Sequence, residues 1–177
     1  MPTWNSRGLR GSLLEEMINR TNEKYREQKL ALIQKVPTPI TPVRIDSETR
    51  QITLAYFDQK STVDFIGTVQ GVPVCFDAKE CKTAAFPMQN VHEHQILFMR
   101  DFMEQGGVAF LLIHFTDADR FFYLSYSKLL EFWNRAMTGH EKHFLMSEID
   151  EGYEIKSNGY FLHYLDALQK DLLEEGK

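Results

Sequence analysis

The spacing of apolar residues changes period several times along this chain, and each change marks an element. From Ser12 to Gln28 the residues Leu13, Leu14, Met17, Ile18, Thr21 and Tyr25 recur at helical spacing. Ser12-x-x-Glu15 is a capping box, which predicts that the helix opens at Ser12. Leu30 to Val36 reads as a strand. From Ser61 to Glu80 the period drops to two, predicting two strands joined at Gln70-Gly71. In the first, Val63, Phe65 and Val69 share one parity, with Asp64 and Ile66 on the other. In the second, Cys75, Asp77 and Lys79 share one face and Val74, Phe76 and Ala78 the opposite one. A helix is predicted from about Asn90 to Gln105, stopped by Gly106-Gly107. Val108 to Phe115 is continuously apolar, as in a strand covered on both faces. A turn at Thr116 to Asp119, a strand from Phe121 to Tyr126 and a helix from Ser127 to Met137 follow. After a turn at Ser157-Asn158-Gly159, an acidic helix starts at about Phe161.

Two stretches break the pattern. Residues 1–11 are polar and glycine-containing and predict a mobile arm carrying Arg7 and Arg10. Pro37-Thr38-Pro39-Ile40-Thr41-Pro42 holds three prolines in six residues, too many missing N–H donors for a central strand. Val43 to Tyr56, with Arg44 and Arg50 and a turn near Asp46-Ser47, returns as a ribbon. Pro37 to Asp58 therefore reads as a projecting hairpin, with an ordinary long loop as the alternative. The whole order predicts one α/β domain, residues 1–177, with a central mixed sheet flanked by helices. No glycine-rich strand-to-helix turn suggests a dinucleotide or P-loop site.

Composition adds limits. The 177 residues, 43% hydrophobic and 25% charged, suit a globular chain with one core. No apolar run is long enough for a bilayer and no secretory signal opens the chain, so a cytoplasmic location without membrane contact is expected. Cys75 and Cys81 give no disulfide framework. The net charge of −5 is unevenly spread: residues 1–60 hold ten Lys/Arg against seven Asp/Glu, and the acidic segment 141–177 holds four against nine. The N-terminal part can still meet a polyanion.

Charges on a packed strand are paired, metal-bound or at work. Asp64 and Asp77 on adjacent strands can share a hard cation such as Mg²⁺, with the Ala78 carbonyl as a further oxygen. Lys79 can orient a water or stabilise charge growing on phosphorus. The competing reading is a half-buried Asp–Lys salt bridge, since D-x-K triplets are common by chance. Glu15 is either a fourth acidic group or the ordinary third residue of a capping box. His92 and His94 do not share a helical face, which argues against zinc; either can contact a phosphate or cap the turn. Gln95 is open between positioning a metal-bound water and plain surface. His114 reads as a core or edge histidine.

Several longer stretches then resemble the RecU family of Holliday-junction resolvases: RGSLLEEMINRTNEKY (10–25), KVPTPI (35–40), AYFDQKSTVDFIG (55–67), FDAKECK with FP (76–87), NVHEHQ (90–95) and YLSYSKLLEFW (123–133). The resemblance implies a restriction-endonuclease-like fold and a homodimer that nicks opposing strands of a four-way DNA junction with Mg²⁺, or Mn²⁺ in its place. It implies that 37–58 is a stalk and that a strand-exchange recombinase is a partner. Asp64 matches the aspartate of the S-T-x-D element, Asp77 stands where the family often has glutamate, Lys79 matches the lysine, and Glu15 matches the helix-borne glutamate. Arg7, Arg10, Lys35, Thr38, Arg44, Arg50 and Lys60 are the candidate DNA contacts, each with a solvated surface role as the alternative. The rival functions are a nuclease of the same fold on other branched or duplex DNA, and a junction-binding or recombinase-modulating protein that does not cut.

Overall fold

The computed structural model describes residues 12–57, 62–174 and 176. The predicted arm, with Arg7 and Arg10, lies outside the described residues, as do Asp58, Lys60 and Ser61. Ser12 caps helix α1 (Leu13–Glu27), its Oγ accepting the Glu15 N–H at 3.2 Å. The helix buries Leu14, Met17, Ile18, Thr21 and Tyr25, close to the face that the spacing gave. Strand β1 (Ala31–Lys35) follows, then β2 (Ile40–Ile45) and β3 (Ile52–Phe57). Among the described residues the last two pair only with each other, in a ribbon with irregular register around Arg44. Asp46 closes its tip by accepting the N–H groups of Glu48 and Thr49 at 2.9 and 2.7 Å.

Strands β4 (Phe65–Val69) and β5 (Val72–Cys81) form the predicted hairpin. Gln70 and Gly71, at φ 49° and 90°, make the two-residue turn whose left-handed residues match strand twist. A short strand β6 (Ala85–Pro87) and a 3-10 turn at Met88–Asn90 precede helix α2 (Glu93–Glu104), so the helix begins three residues later than its pattern suggested. Strand β7 (Val108–Phe115) is buried throughout, as predicted. Strand β8 (Arg120–Ser125) leads into helix α3 (Tyr126–Met137), capped by Ser125. Strands β9 (His143–Leu145), β10 (Glu154–Ile155), β11 (Ser157–Asn158) and β12 (Phe161–Leu162) precede helix α4 (Tyr164–Glu174). The last helix starts at Tyr164 rather than Phe161 because Phe161 and Leu162 pair with Asn158 and Ser157.

The main sheet has the order β1-β4-β5-β7-β8-β10, and β5–β7 is its parallel pair among antiparallel neighbours. It is the mixed sheet that the element order predicts. One face packs α2 and α3 through Cys75, Ile96, Met99, Leu111, Ile113 and Leu129. The other packs α1 and α4 through Leu14, Ile18, Phe65, Phe76, Phe110 and Tyr164. On that second face Phe65, Phe76, Phe110 and Tyr123 stack across four successive strands, with centroids 4.9, 4.7 and 4.4 Å apart. Such offset stacks add about 0.5–1.5 kcal/mol each to the burial of the rings. They fix the relative height of β4 and β5, the two strands that carry the candidate chemistry.

Candidate active site

The β4–β5 hairpin brings the two aspartates together. The Asp64 backbone N–H donates to Asp77 Oδ1 at 2.9 Å, and the Ala78 N–H donates to Asp64 Oδ2 at 2.9 Å. Each carboxylate is thus held by the backbone of the neighbouring strand. Asp77 is fully buried, and its Oδ2 receives Lys79 Nζ at 2.5 Å and Gln95 Nε2 at 2.8 Å. Lys79 shares the Asp77 face because strand residues two apart do. Its side chain keeps 18% of its exposure, which places the ammonium at the rim. Burial and then the Asp77 charge push the Asp64 carboxyl from 3.8 up to about 7, against the pull of the Ala78 N–H and Lys79. Cys75, two residues before Asp77, is pushed up to about 12 by burial and then by the same charge. The thiol stays protonated at neutral pH and serves as core.

Gln95 is buried, so it is not plain surface. The His92 N–H donates to its Oε1 at 3.1 Å, which turns the Gln95 amide nitrogen towards Asp77. Gln95 therefore joins the first turn of α2 to the carboxylate pair. The His92 and His94 rings stack with centroids 5.4 Å apart, beside that turn.

Glu15 comes from the opposite face of the sheet. Its Oε2 is ion-paired with Lys35 Nζ. Lys35 is in register with Phe65, and the Val36 N–H donates to the Asp64 carbonyl at 2.8 Å. Glu15 thus stands at the end of β4 where Asp64 lies. Lys35, a candidate DNA contact, holds this carboxylate instead of standing as a lone surface charge. Thr38, Arg44 and Arg50 are exposed on the ribbon, Arg50 at φ 55° in its tip. Glu80 was not singled out by the sequence pattern, yet its Oε1 accepts the Leu14 N–H of α1 at 2.9 Å.

Among the described residues no three His, Cys, Asp or Glu side chains converge as a metal-binding group. The donor set that is present, two adjoining carboxylates with the Ala78 carbonyl between Asp77 and Lys79, still suits one class of ion. Mg²⁺ is commonly held by one or two carboxylates and keeps several waters. Burial first and the Asp77 charge second raise the Asp64 pKa, and a bound cation would offset the second. Among the described residues no helix is long and apolar enough to cross a membrane.

Residues 9–170 match the family model described as RecU, Recombination protein U. A protein from Oenococcus oeni with the name Holliday junction resolvase RecU is 41% identical over 170 residues, 92% of this chain and 86% of its own. One of the same name from Bacillus cereus strain B4264 is 40% identical over 155 residues, 85% and 78% of the two chains. One from Geobacillus sp. is 37% identical over 169 residues, 92% and 84%. Among solved structures, Archaeoglobus fulgidus Hjc, a Holliday junction resolvase, aligns with TM-score 0.37 and 10% identity over 62% of this chain and 77% of its own, too slight a likeness to carry an argument.

Proposed function

Because the chain belongs to the RecU family, we propose that it is an endonuclease that resolves four-way DNA junctions with a divalent cation, Mg²⁺ or Mn²⁺ in its place. The observation that carries this reading is the hairpin-held pair Asp64–Asp77 with Lys79 on the Asp77 face. A plain Asp77–Lys79 salt bridge would leave unexplained why a second carboxylate is held against the first in a half-dry site, at a cost to its own ionisation.

Asp64, Asp77 and the Ala78 carbonyl would hold the cation, with Glu15 approaching from α1. When bound, the cation supplies polarisation of the scissile phosphate and a water of lowered pKa. The rest is the work of this chain. Gln95 keeps Asp77 from rotating, so its carboxylate presents a fixed oxygen. Lys79, at the rim, stabilises the negative charge that grows on the phosphoryl oxygens as the bond to the leaving oxygen breaks. Burial and the Asp77 charge hold the Asp64 carboxyl protonated towards the neutral range, so Asp64 would have to give up that proton to hold a cation.

The ribbon supplies selection. Val43, Ile45, Leu54 and Tyr56 are 52–59% exposed on it, an apolar surface that solvent alone does not explain. With Arg44 and Arg50 alongside, it suits the open centre of a junction, where phosphates and unstacked base faces lie together. Two symmetric nicks require two sites, so a homodimer completes the reading. The restriction-endonuclease-like fold, a recombinase partner and a place in the cytoplasm belong to the same proposal.

The test is cleavage of a labelled mobile four-way junction with Mg²⁺, beside linear duplex and flap controls. Paired nicks on opposing strands support junction resolution. Equal rates on duplex or flap overturn the selectivity, and tight junction binding without any cutting favours the non-cutting reading.

A further inference from the structure

We infer that Glu80 is a positioning residue of the cutting reaction, which sets the first turn of α1, and so Glu15, at the end of β4 where Asp64 lies. The inference rests on the proposed role of Glu15. In β5, Asp77 and Lys79 face α2, so Glu80 faces α1. There its Oε1 accepts the Leu14 N–H at 2.9 Å, across 66 residues of sequence.

A helix starts with four backbone N–H groups that have no partner in the helix. In α1 the Glu15 N–H goes to Ser12 Oγ, and the Leu14 N–H goes to Glu80. The second bond is not local capping: it ties the helix to the strand that carries Asp77 and Lys79. A carboxylate at this end of the helix is also favoured by the helix dipole. On the other side, Lys35 of β1 grips Glu15 itself. Strands β1 and β5 flank β4, the strand that begins one residue after Asp64. Leu14 and Glu15 are therefore held from both neighbours of β4.

His114 limits where the Glu80 carboxylate can go. It lies opposite Glu80 in the parallel register, is 3% exposed, and is pinned by Asp119 at 3.1 Å and by a stack on Phe121 with centroids 4.1 Å apart. Its Nδ1 stands 4.0 Å from Glu80 Oε1. The carboxylate is bounded by this ring on one side and the helix start on the other.

A hydrogen bond that positions needs an acceptor oxygen, not a charge. Glu80→Ala is expected to slow single-turnover junction cutting by about 10- to 100-fold, the scale of a small misplacement in a site. Junction affinity measured without cation should stay within about three-fold. Glu80→Gln keeps the acceptor and should recover most of the rate, whereas Glu80→Asp, one methylene short, should recover less. If Glu80→Ala fails to fold, the Gln and Asp variants alone decide: Asp cutting faster than Gln overturns the inference. The stricter test uses Glu15→Gln. If Glu80 acts through Glu15, Glu80→Ala should add little to the loss in that background. An equal further loss there, or wild-type cutting by Glu80→Ala, overturns the role of Glu80. Wild-type cutting by Glu15→Gln overturns instead the role that the proposed function gives to Glu15.

Discussion

Asp64→Asn tests the electrostatics of the site apart from its chemistry. In the native protein the Asp64 carboxyl is raised from 3.8 to about 7 by burial and by Asp77. A raised acid means that the folded chain keeps a proton the unfolded chain has already released. Stability therefore falls as pH climbs from about 4 to about 7 and stays lowered above that window. At about 1.36 kcal/mol per pH unit the ceiling is about 4 kcal/mol. Asp64 is only partly buried and solvent screens such a pair, so about 1–2 kcal/mol is the part that Asn should recover. Asparagine keeps an oxygen for the Ala78 N–H and turns an amide nitrogen, instead of a charge, towards Asp77. For a chain of this length that corresponds to a rise in Tm of about 2–8 °C. Thermal unfolding in EDTA should show the variant melting above wild type at pH 8, with the gap narrowing towards pH 5. Added Mg²⁺ should raise the Tm of wild type and leave the variant nearly unchanged, and the variant should not cut. A melting point at or below wild type at pH 8 would refute the like-charge account of the pair.

Lys79→Ala should abolish cutting while leaving junction affinity within a few-fold, read by gel shift beside the nicking assay; a wild-type rate removes Lys79 from the site. Gln95→Ala should slow cutting about tenfold by freeing Asp77, and Gln95→Glu should be worse because it sets a third carboxylate against a buried one. Replacing the ribbon tip, residues 43–54, by a short Gly-Ser turn should weaken junction binding more than duplex binding in a competition assay. Equal losses would mean that the ribbon does not read junctions.

The juxtaposition of Asp64, Asp77 and Lys79 in the candidate site was legible in the sequence because its geometry is local. A period of two fixes which side chains share a face, and Gln70-Gly71 fixes the register that sets Asp64 beside Asp77. Gln95 was only half legible. Its place in the first turn of α2 was readable, but its burial against Asp77 depends on how that helix docks on the sheet. Glu80 could not be read at all, since the N–H that it receives lies 66 residues away and strand parity alone marks it as a residue on the other face. The same reason explains the missed pairing of β6 with β9, two three-residue strands too short to show a period. The late start of α4 reflects a competition that propensity does not settle. Leu162 gives its N–H to Thr21 Oγ1 of α1 at 2.9 Å, which holds 161–162 extended.

The turn at Gln70-Gly71 also bears on the order in which the molecule assembles. A hairpin closed by two residues pairs within about 1–10 μs, whereas the parallel β5–β7 pair must wait for the whole α2 crossover. The two aspartates are thus brought face to face early, before α2 has delivered Gln95 and while Lys79 is still in water. The repulsion within the Asp64–Asp77 pair is present from the first pairing of β4 with β5, and the later steps of folding add the groups that contain it.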